Sequence, residues 1–251
     1  MELRDFFALH PRAAIAFSGG VDSAYLLYAA VNCGANVAAY YVNSAFQPDF
    51  ELRDALRLAQ ELGARMKVIE LDVLSDENIR RNPENRCYFC KRRIMAAICE
   101  SAAEDGYDIV LDGTNASDDS GDRPGMKALR ERGIVSPLRE CGLTKPEIRA
   151  LSKQAGLFTF DKPAYACLAT RVPAGEEITA EKLGKIQRAE DCLFELGYTD
   201  FRARLRGDEA LLQFTQEQLP RARSEFDEIE KRLSGLFSAV RLDDKGRKKA
   251  L

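Results

Sequence analysis

Ser18-Gly19-Gly20-Val21-Asp22-Ser23 sets two hydroxyls, one carboxylate and two glycines between an apolar run at 13–17 and a helix-forming run at 24–30. That order reads as strand, tight turn, helix. Free N–H groups in the first helical turn, aided by the helix dipole and by the Ser18 and Ser23 hydroxyls, make an anion site whose natural ligand is phosphate. The Gly-Lys-Ser/Thr ending of a Walker A loop is absent. An ordinary strand-to-helix turn is the alternative. A second polar loop, Gly113-Thr114-Asn115-Ala116-Ser117-Asp118-Asp119, follows an apolar run at 107–112. Gly113 would let backbone approach a nucleotide, while Asp118, Asp119 or Asp122, together with Asp22, are candidates for Mg²⁺, which takes a carboxylate or two plus phosphate oxygens. The competing reading is a solvated acidic turn.

Cys87-x-x-Cys90 has three readings: a redox pair, half of a metal site, or two incidental thiols. Four-thiolate zinc would need a second Cys-x-x-Cys pair, which the chain lacks. Cys167 stands in a Pro- and Ala-rich stretch between Lys162 and Arg171, cations that favour thiolate. With Cys87 and Cys90 it could hold an iron–sulfur cluster with one iron left open, since soft ligands select such clusters. Cys33, Cys99, Cys141 and Cys192 lie in or beside helical stretches and read as packing residues. Arg202, Arg204 and Arg206 alternate along a strand-like run, which makes either a phosphate-recognition face or a solvated edge strand. Glu190, Asp191 and Glu195 sit on the preceding helix, where a metal or the helix surface could use them; Glu190 and Asp191 cannot share one face, so at most one points inward. His10 is the single histidine and lies near the start, which argues against a histidine-based triad.

Alternating strands and helices must position these residues. Runs at 13–17, 36–42, 66–71 and 107–112 read as strands, with a short fifth at 134–138. Helices read at 49–62, 94–103 and 144–155, the first capped by Asp49 and ended by Gly63, the last capped by Thr144 with Glu147 at the capping-box position. This alternation predicts an α/β fold, a doubly wound parallel sheet whose right-handed crossovers gather the ligand loops at the strands' carboxyl ends. A polar segment at 76–93 interrupts it. Beyond 161 come a loop, a helix at 179–196, strands at 201–206 and 210–215, a helix at 217–233 and a strand at 238–242, which predict a smaller α+β domain. The expected division is a nucleotide domain over 1–160, a cysteine-bearing linker over 161–178 and a C-terminal substrate-binding and oligomerisation domain over 179–251.

With 45% hydrophobic and 31% charged residues, the 251-residue chain is globular with no disordered bulk. A net charge of −3 and an isoelectric point near 5.5 argue against nucleic acid as the main partner and for small-molecule chemistry. No apolar run approaches the ~20 residues that span a bilayer, and the first residues lack a signal peptide's basic and apolar regions, so a cytoplasmic protein is expected. Seven cysteines in that reducing setting do not read as a disulfide framework.

The hexapeptide at 18–23 resembles the PP-loop of the ATP pyrophosphatase superfamily, of adenine nucleotide alpha hydrolase-like fold, whose members cleave ATP to AMP and pyrophosphate while adenylating a substrate. Three further stretches extend the likeness: Asn85-Arg86-Cys87-Tyr88-x-Cys90-Lys91, Gly113-Thr114-Asn115-x-x-Asp118, and Lys162-Pro163-Ala164-x-x-Cys167-Leu168-x-x-Arg171-x-Pro173. Nearly the whole chain thereby resembles the LarE family of ATP-dependent sulfur transferases, which make the thiocarboxylates of a nickel-pincer nucleotide cofactor. The resemblance implies adenylation of a pyridinium biscarboxylic acid mononucleotide with ATP and Mg²⁺, then attack by sulfur. It implies nucleotide contacts at Ser18, Gly19, Gly20, Val21, Asp22, Ser23, Gly113, Asn115 and Asp118, with Asp22 and Cys167 in the chemistry. In one branch of the family the sulfur is the side chain of a cysteine matching Cys167, which is left as dehydroalanine after one turnover. In another, three cysteines like Cys87, Cys90 and Cys167 bind a 4Fe–4S cluster that carries the sulfur. All three are present here, so the resemblance favours the cluster over a sacrificial Cys167. It further implies substrate-phosphate binding by Arg202 and Arg204, a metal near Glu190, and a homo-oligomer, hexamers included. Two rivals stand beside it: a tRNA-thiolating PP-loop enzyme, whose basic RNA-binding face the isoelectric point counts against, and a non-catalytic nucleotide-binding regulator, which would bind ATP without releasing pyrophosphate.

Overall fold

Arg12–Ala16 (β1) is buried from its second residue onward. Its side chains alternate between two cores, Ala13 and Ile15 on one side and Ala14 and Ala16 on the other. A strand covered on both faces belongs in the middle of a parallel sheet. The computed structural model, which describes residues 1–118 and 124–247, places it there. The chain forms two compact units, Met1–Val73 with Asn85–Lys162, and Leu74–Glu84 with the chain from Pro163 onward.

The first unit opens with α1 (Leu3–Leu9), then β1, α2 (Val21–Asn32), β2 (Asn36–Asn43), α3 (Asp49–Glu61) and β3 (Arg65–Glu70); α4 (Glu77–Arg80) belongs to the second unit, and α5 (Arg86–Glu104), β4 (Val110–Leu111), α6 (Pro124–Arg130), α7 (Pro137–Glu140) and α8 (Lys145–Gln154) complete the first. The sheet order is β3-β2-β1-β4, with every pairing parallel. Leu3, Phe6, Ala24, Leu27, Leu58 and Ile148 bring α1, α2, α3 and α8 onto one face, and Met95, Ile98 and Leu129 bring α5 and α6 onto the other. The expected doubly wound parallel sheet is this fold.

Several local readings are corrected. Asp49 does not cap α3; Pro48 holds that position and Asp49 is the first helical residue. α5 begins at Arg86, eight residues ahead of the expected 94. The turn-forming Asn82-Pro83-Glu84-Asn85 ends immediately before it, so the basic and aromatic residues that follow are helical rather than loop. The fifth strand at 134–138 contracts to one bridge between Leu111 and Val135. Pro137 instead starts α7, where its missing N–H costs nothing. The Thr144 and Glu147 capping box of α8 is as expected.

The second unit has 3-10 turns at Leu168–Arg171, then α9 (Ala180–Glu195), β5 (Arg202–Arg206), β6 (Glu209–Gln213), α10 (Leu219–Ser224), α11 (Phe226–Leu233) and β7 (Ala239–Leu242). A further 3-10 turn, Phe158–Asp161, ends the first unit. β5 pairs antiparallel with β6 and β6 parallel with β7. Ala189, Leu193, Ala203, Leu212, Ile229 and Val240 form the core between helices and sheet. The single helix expected at 217–233 breaks at Glu225, whose carboxylate accepts from the Tyr198 hydroxyl at 2.7 Å. Segment 74–84 joins this unit through hydrogen bonds from Ile178 N–H to Arg80 O at 2.8 Å and from Asn82 Nδ2 to Pro173 O at 2.7 Å.

Candidate active site

In the first unit the two strand-end loops meet. Gly19 turns the chain out of β1 at φ +69°, and a Cβ there would press on Ala55 Cβ at 3.3 Å. The Ser23 hydroxyl donates to Gly20 O at 3.2 Å and accepts from Ser18 N–H at 3.3 Å, so it ties the turn onto the first turn of α2. Gly20 precedes α2 without a side-chain cap. The N-cap therefore leaves the leading N–H groups of that helix to other acceptors, as an anion site requires. Gly113 explains why the second loop can close on the first: a Cβ at that position would stand 2.8 Å from the Ser23 backbone nitrogen and 3.1 Å from its Cα. Asn115 Nδ2 then reaches Asp22 Oδ1 at 3.3 Å.

Asp22 has a second partner that sequence spacing did not reveal. Lys145 Nζ donates to Asp22 Oδ2 at 2.6 Å across 123 residues of chain. A lone carboxylate inside an anion-binding loop calls for a cation, and that was the available signal. Asp118 is used locally: its carboxylate accepts from Asn115 N–H at 2.9 Å, while Arg139 donates to Asp118 O at 2.6 Å. Asp119 and Asp122 lie outside the described residues. Cys87 and Cys90, one helical turn apart near the start of α5, share a face. Cys87 is exposed and accepts a 3.8 Å contact from Arg86 Nη2. Soft donors at this spacing suit a metal or cluster by their chemistry. Among the described residues, however, no three His, Cys, Asp or Glu side chains are grouped to hold a metal ion.

Cys167 belongs to the second unit. Its carbonyl accepts from Thr170 N–H at 3.0 Å and Thr170 Oγ1 at 2.8 Å, which fixes the turn that carries it. Arg171, on the same turn, is fully buried and donates through Nε to Glu190 Oε1 at 2.7 Å and through Nη2 to Glu190 Oε2 at 3.2 Å. Burial alone would pull this guanidinium down, but the bonds and charge of Glu190, with Tyr165 and Cys167 adding to them, raise it. Glu190 also accepts from Ala203 N–H at 2.9 Å and from the Tyr165 hydroxyl. The expected metal carboxylate is thus filled by protein donors, four of them on two oxygens. It is the inward-facing one of its pair, since Glu190 is buried and Asp191 half-exposed.

Arg202 and Arg204 leave one face of β5 toward this cluster, while Arg206 is exposed. Arg202 donates to Ala164 O at 3.0 Å, and Arg204 to Thr170 O at 2.8 Å and Gln213 Oε1 at 2.7 Å. Burial, then repulsion from Arg171 and Arg247, pulls Arg202 down to about 10, and burial, then Arg171, Arg206 and Arg247, lowers Arg204. Glu190 and Asp200 offset this only in part. A group of guanidiniums under mutual repulsion is stabilised by an added anion. Of the four cysteines read as packing residues, Cys99, Cys141 and Cys192 lie against the cores with thiols pushed up by burial. Cys33 instead is exposed at the end of α2.

Comparisons with known proteins give this geometry a family. The model for the queuosine biosynthesis protein QueC matches residues 12–82, which hold β1, the Ser18–Ser23 turn, β2 and β3. The chain is 34% identical over 235 residues to the pyridinium-3,5-bisthiocarboxylic acid mononucleotide synthase of Lactiplantibacillus plantarum, covering 92% of this chain and 85% of that protein. The chain belongs to the LarE family. It is also 42% identical over 219 residues to the uncharacterized protein slr1717 of Synechocystis, covering 86% of this chain and 81% of that one. The tRNA-specific 2-thiouridylase MnmA of Pseudothermotoga lettingae is 29% identical over 60% of this chain and 54% of its own. As a LarE protein with a PP-loop, the chain is an ATP-dependent sulfur transferase. Among the described residues no helix is long and apolar enough to cross a membrane.

Proposed function

We propose that this enzyme adenylates a carboxylate of pyridinium-3,5-biscarboxylic acid mononucleotide and converts it to a thiocarboxylate, a step in nickel-pincer nucleotide biosynthesis. The observation that carries the reading is the 34% identity to the named synthase across 92% of the chain. A carboxylate oxygen is a poor leaving group. Attack of that oxygen on the α-phosphorus of ATP breaks the bond to the bridging oxygen, releases pyrophosphate and leaves an acyl adenylate from which AMP departs readily. Ser18, Gly19, Gly20, Val21 and Ser23 supply donors for the departing pyrophosphate, Gly113 and Asn115 border the nucleotide, and Asp22 or Asp118 would hold Mg²⁺. Arg202 and Arg204 fit the substrate phosphate, because the repulsion that Arg171 and Arg247 exert on both favours a bound anion.

For the sulfur, Cys87, Cys90 and Cys167 would hold a 4Fe–4S cluster, which supplies a nucleophilic sulfide when bound. The soft donor set and the shared helix face of Cys87 and Cys90 support this. We further propose a nucleotide domain over 1–160, a cysteine-bearing linker over 161–178, a substrate and oligomerisation domain over 179–251, and a homo-oligomer.

Pyrophosphate release is to be measured with ATP, Mg²⁺ and the biscarboxylic acid mononucleotide, with mass spectrometry of the product. Release that depends on the mononucleotide, with exchange of oxygen for sulfur in the product, is expected. Pyrophosphate release with thiolation of tRNA instead would place the enzyme with the 2-thiouridylases. Anaerobic purification with iron and sulfide analysis of wild type, Cys87→Ala, Cys90→Ala and Cys167→Ala tests the cluster, which each variant should lose. A wild type without iron, whose intact mass falls by one sulfur at Cys167 after turnover, would establish the sacrificial route.

A further inference from the structure

We propose that Lys145 is a polyphosphate-binding residue of the ATP site, paired with Asp22 as its counter-ion. This rests on the ATP-dependent reading of the strand-end loops. Asp22 is an electrostatic anomaly: its carboxylate sits in the first turn of α2, where the loop is built to attract anions, and unneutralised it would repel a polyphosphate. Lys145 removes that repulsion through its 2.6 Å bond to Oδ2, and Asn115 holds Oδ1.

Two features make the lysine more than a brace. The pair is part-exposed, with Lys145 at 23% and Asp22 at 22%, so it lies open to an incoming ligand. Among the described residues Asp22 is also the one partner of the ammonium, which leaves two of its three donors for a ligand. The lysine's backbone is meanwhile fixed. Its N–H donates to Ser117 Oγ at 2.9 Å, and Pro146 and the Thr144–Glu147 capping box set the helix that begins with it. A flexible stem on a rigid base can swing between a carboxylate and a phosphate without moving the loop. With Mg·ATP bound, Lys145 would pair with the phosphates and Asp22 would be left to hold the cation, so neither charge would go unpaired.

The test is calorimetric titration of wild type, Lys145→Met and Lys145→Arg with Mg·ATP, pyrophosphate and adenosine, with no carboxylate substrate present. Lys145→Met should weaken ATP and pyrophosphate by about tenfold to a hundredfold and leave adenosine unchanged, and Lys145→Arg should keep part of the ATP affinity. If Lys145→Met binds ATP as wild type does, or loses adenosine as strongly as ATP, the proposal is wrong. Should Lys145→Met fail to fold, Asp22→Asn is compared with Asp22→Asn/Lys145→Met, which holds Asp22 constant, and the double variant must bind pyrophosphate more weakly than Asp22→Asn. A wild type that binds adenosine but no ATP would refute the ATP-dependent reading itself, a result distinct from an unaffected variant.

Discussion

Glu190→Ala tests whether this carboxylate is a structural acceptor or a metal ligand. The variant removes the acceptor of two Arg171 bonds, at 2.7 and 3.2 Å, of the Ala203 N–H at 2.9 Å, and of the Tyr165 hydroxyl. The Arg171 side chain is 0% exposed and that of Glu190 2%, so water cannot take over. Breaking a buried pair from one side costs about 3–5 kcal/mol. Arg171 retains Ala166 O at 3.1 Å and Thr170 Oγ1 at 2.7 Å, which favours the lower end, about 3 kcal/mol. For a unit of this size that is a fall of roughly 12–24 °C in its melting transition. Urea and thermal unfolding followed by circular dichroism, with chelator present throughout, measure it. Arg171→Met/Glu190→Leu should recover much of the loss, since apolar replacement of a buried pair is often neutral. A loss below about 1 kcal/mol in metal-free buffer would refute the reasoning, because a buried guanidinium stripped of its main acceptor cannot be that cheap.

Gly113→Ala should cost about 1–3 kcal/mol by overpacking and weaken ATP binding in calorimetry, because the new Cβ meets Ser23 backbone at 2.8 Å. Gly20→Ala, whose Cβ meets only Ser18 Oγ at 3.5 Å, is the control that should leave folding intact. Thr144→Ala removes the capping box of α8 and should lower stability by about 1 kcal/mol, read from the urea midpoint. Asp105 is held below the ordinary carboxylate range by the Tyr40 hydroxyl and then by Lys67. A depressed folded value stabilises above the unfolded one and is lost as pH falls through it. Asp105→Asn should therefore be less stable than wild type at neutral pH, with the gap closing below about pH 3.9, as thermal melts across pH would show.

The sheet was legible because burial on both faces leaves a mark in sequence: Ala13 to Phe17 and Val37 to Val42 are uninterrupted apolar runs whose alternate residues feed two cores. The Thr144–Glu147 box was legible because capping is local. Readings failed where tertiary contacts outweigh local preference. The first turns of α5 hold Arg86, Tyr88, Phe89 and Arg92, a basic and aromatic run, yet Arg86 lies over the Phe46 ring at 5.9 Å, and the Tyr88 hydroxyl donates to Glu131, 43 residues away, at 2.8 Å. Contacts that α5 makes only when folded therefore extend it past the point where propensity would start it.

The candidate site divides along the same line. Residues that act through backbone geometry, the glycines and serines of 18–23 and Gly113, are visible as motifs because turn type and close approach dictate the residue. Residues that act through charge are visible only as single members of a pair. Asp22 and Arg171 can each be read from a motif, but Lys145 lies 123 residues from Asp22 and Glu190 lies 19 residues from Arg171, and nothing in spacing links them. The two pairs also answer differently to burial. Arg171 and Glu190 are sealed, and Arg171 holds the turn that carries Cys167 through Ala166 O and Thr170 Oγ1. Asp22 and Lys145 stay part-exposed with donors in hand, so they can exchange partners when a charged ligand arrives. Exposure, which a motif does not record, separates the pair that holds the site together from the pair that can take part in its chemistry.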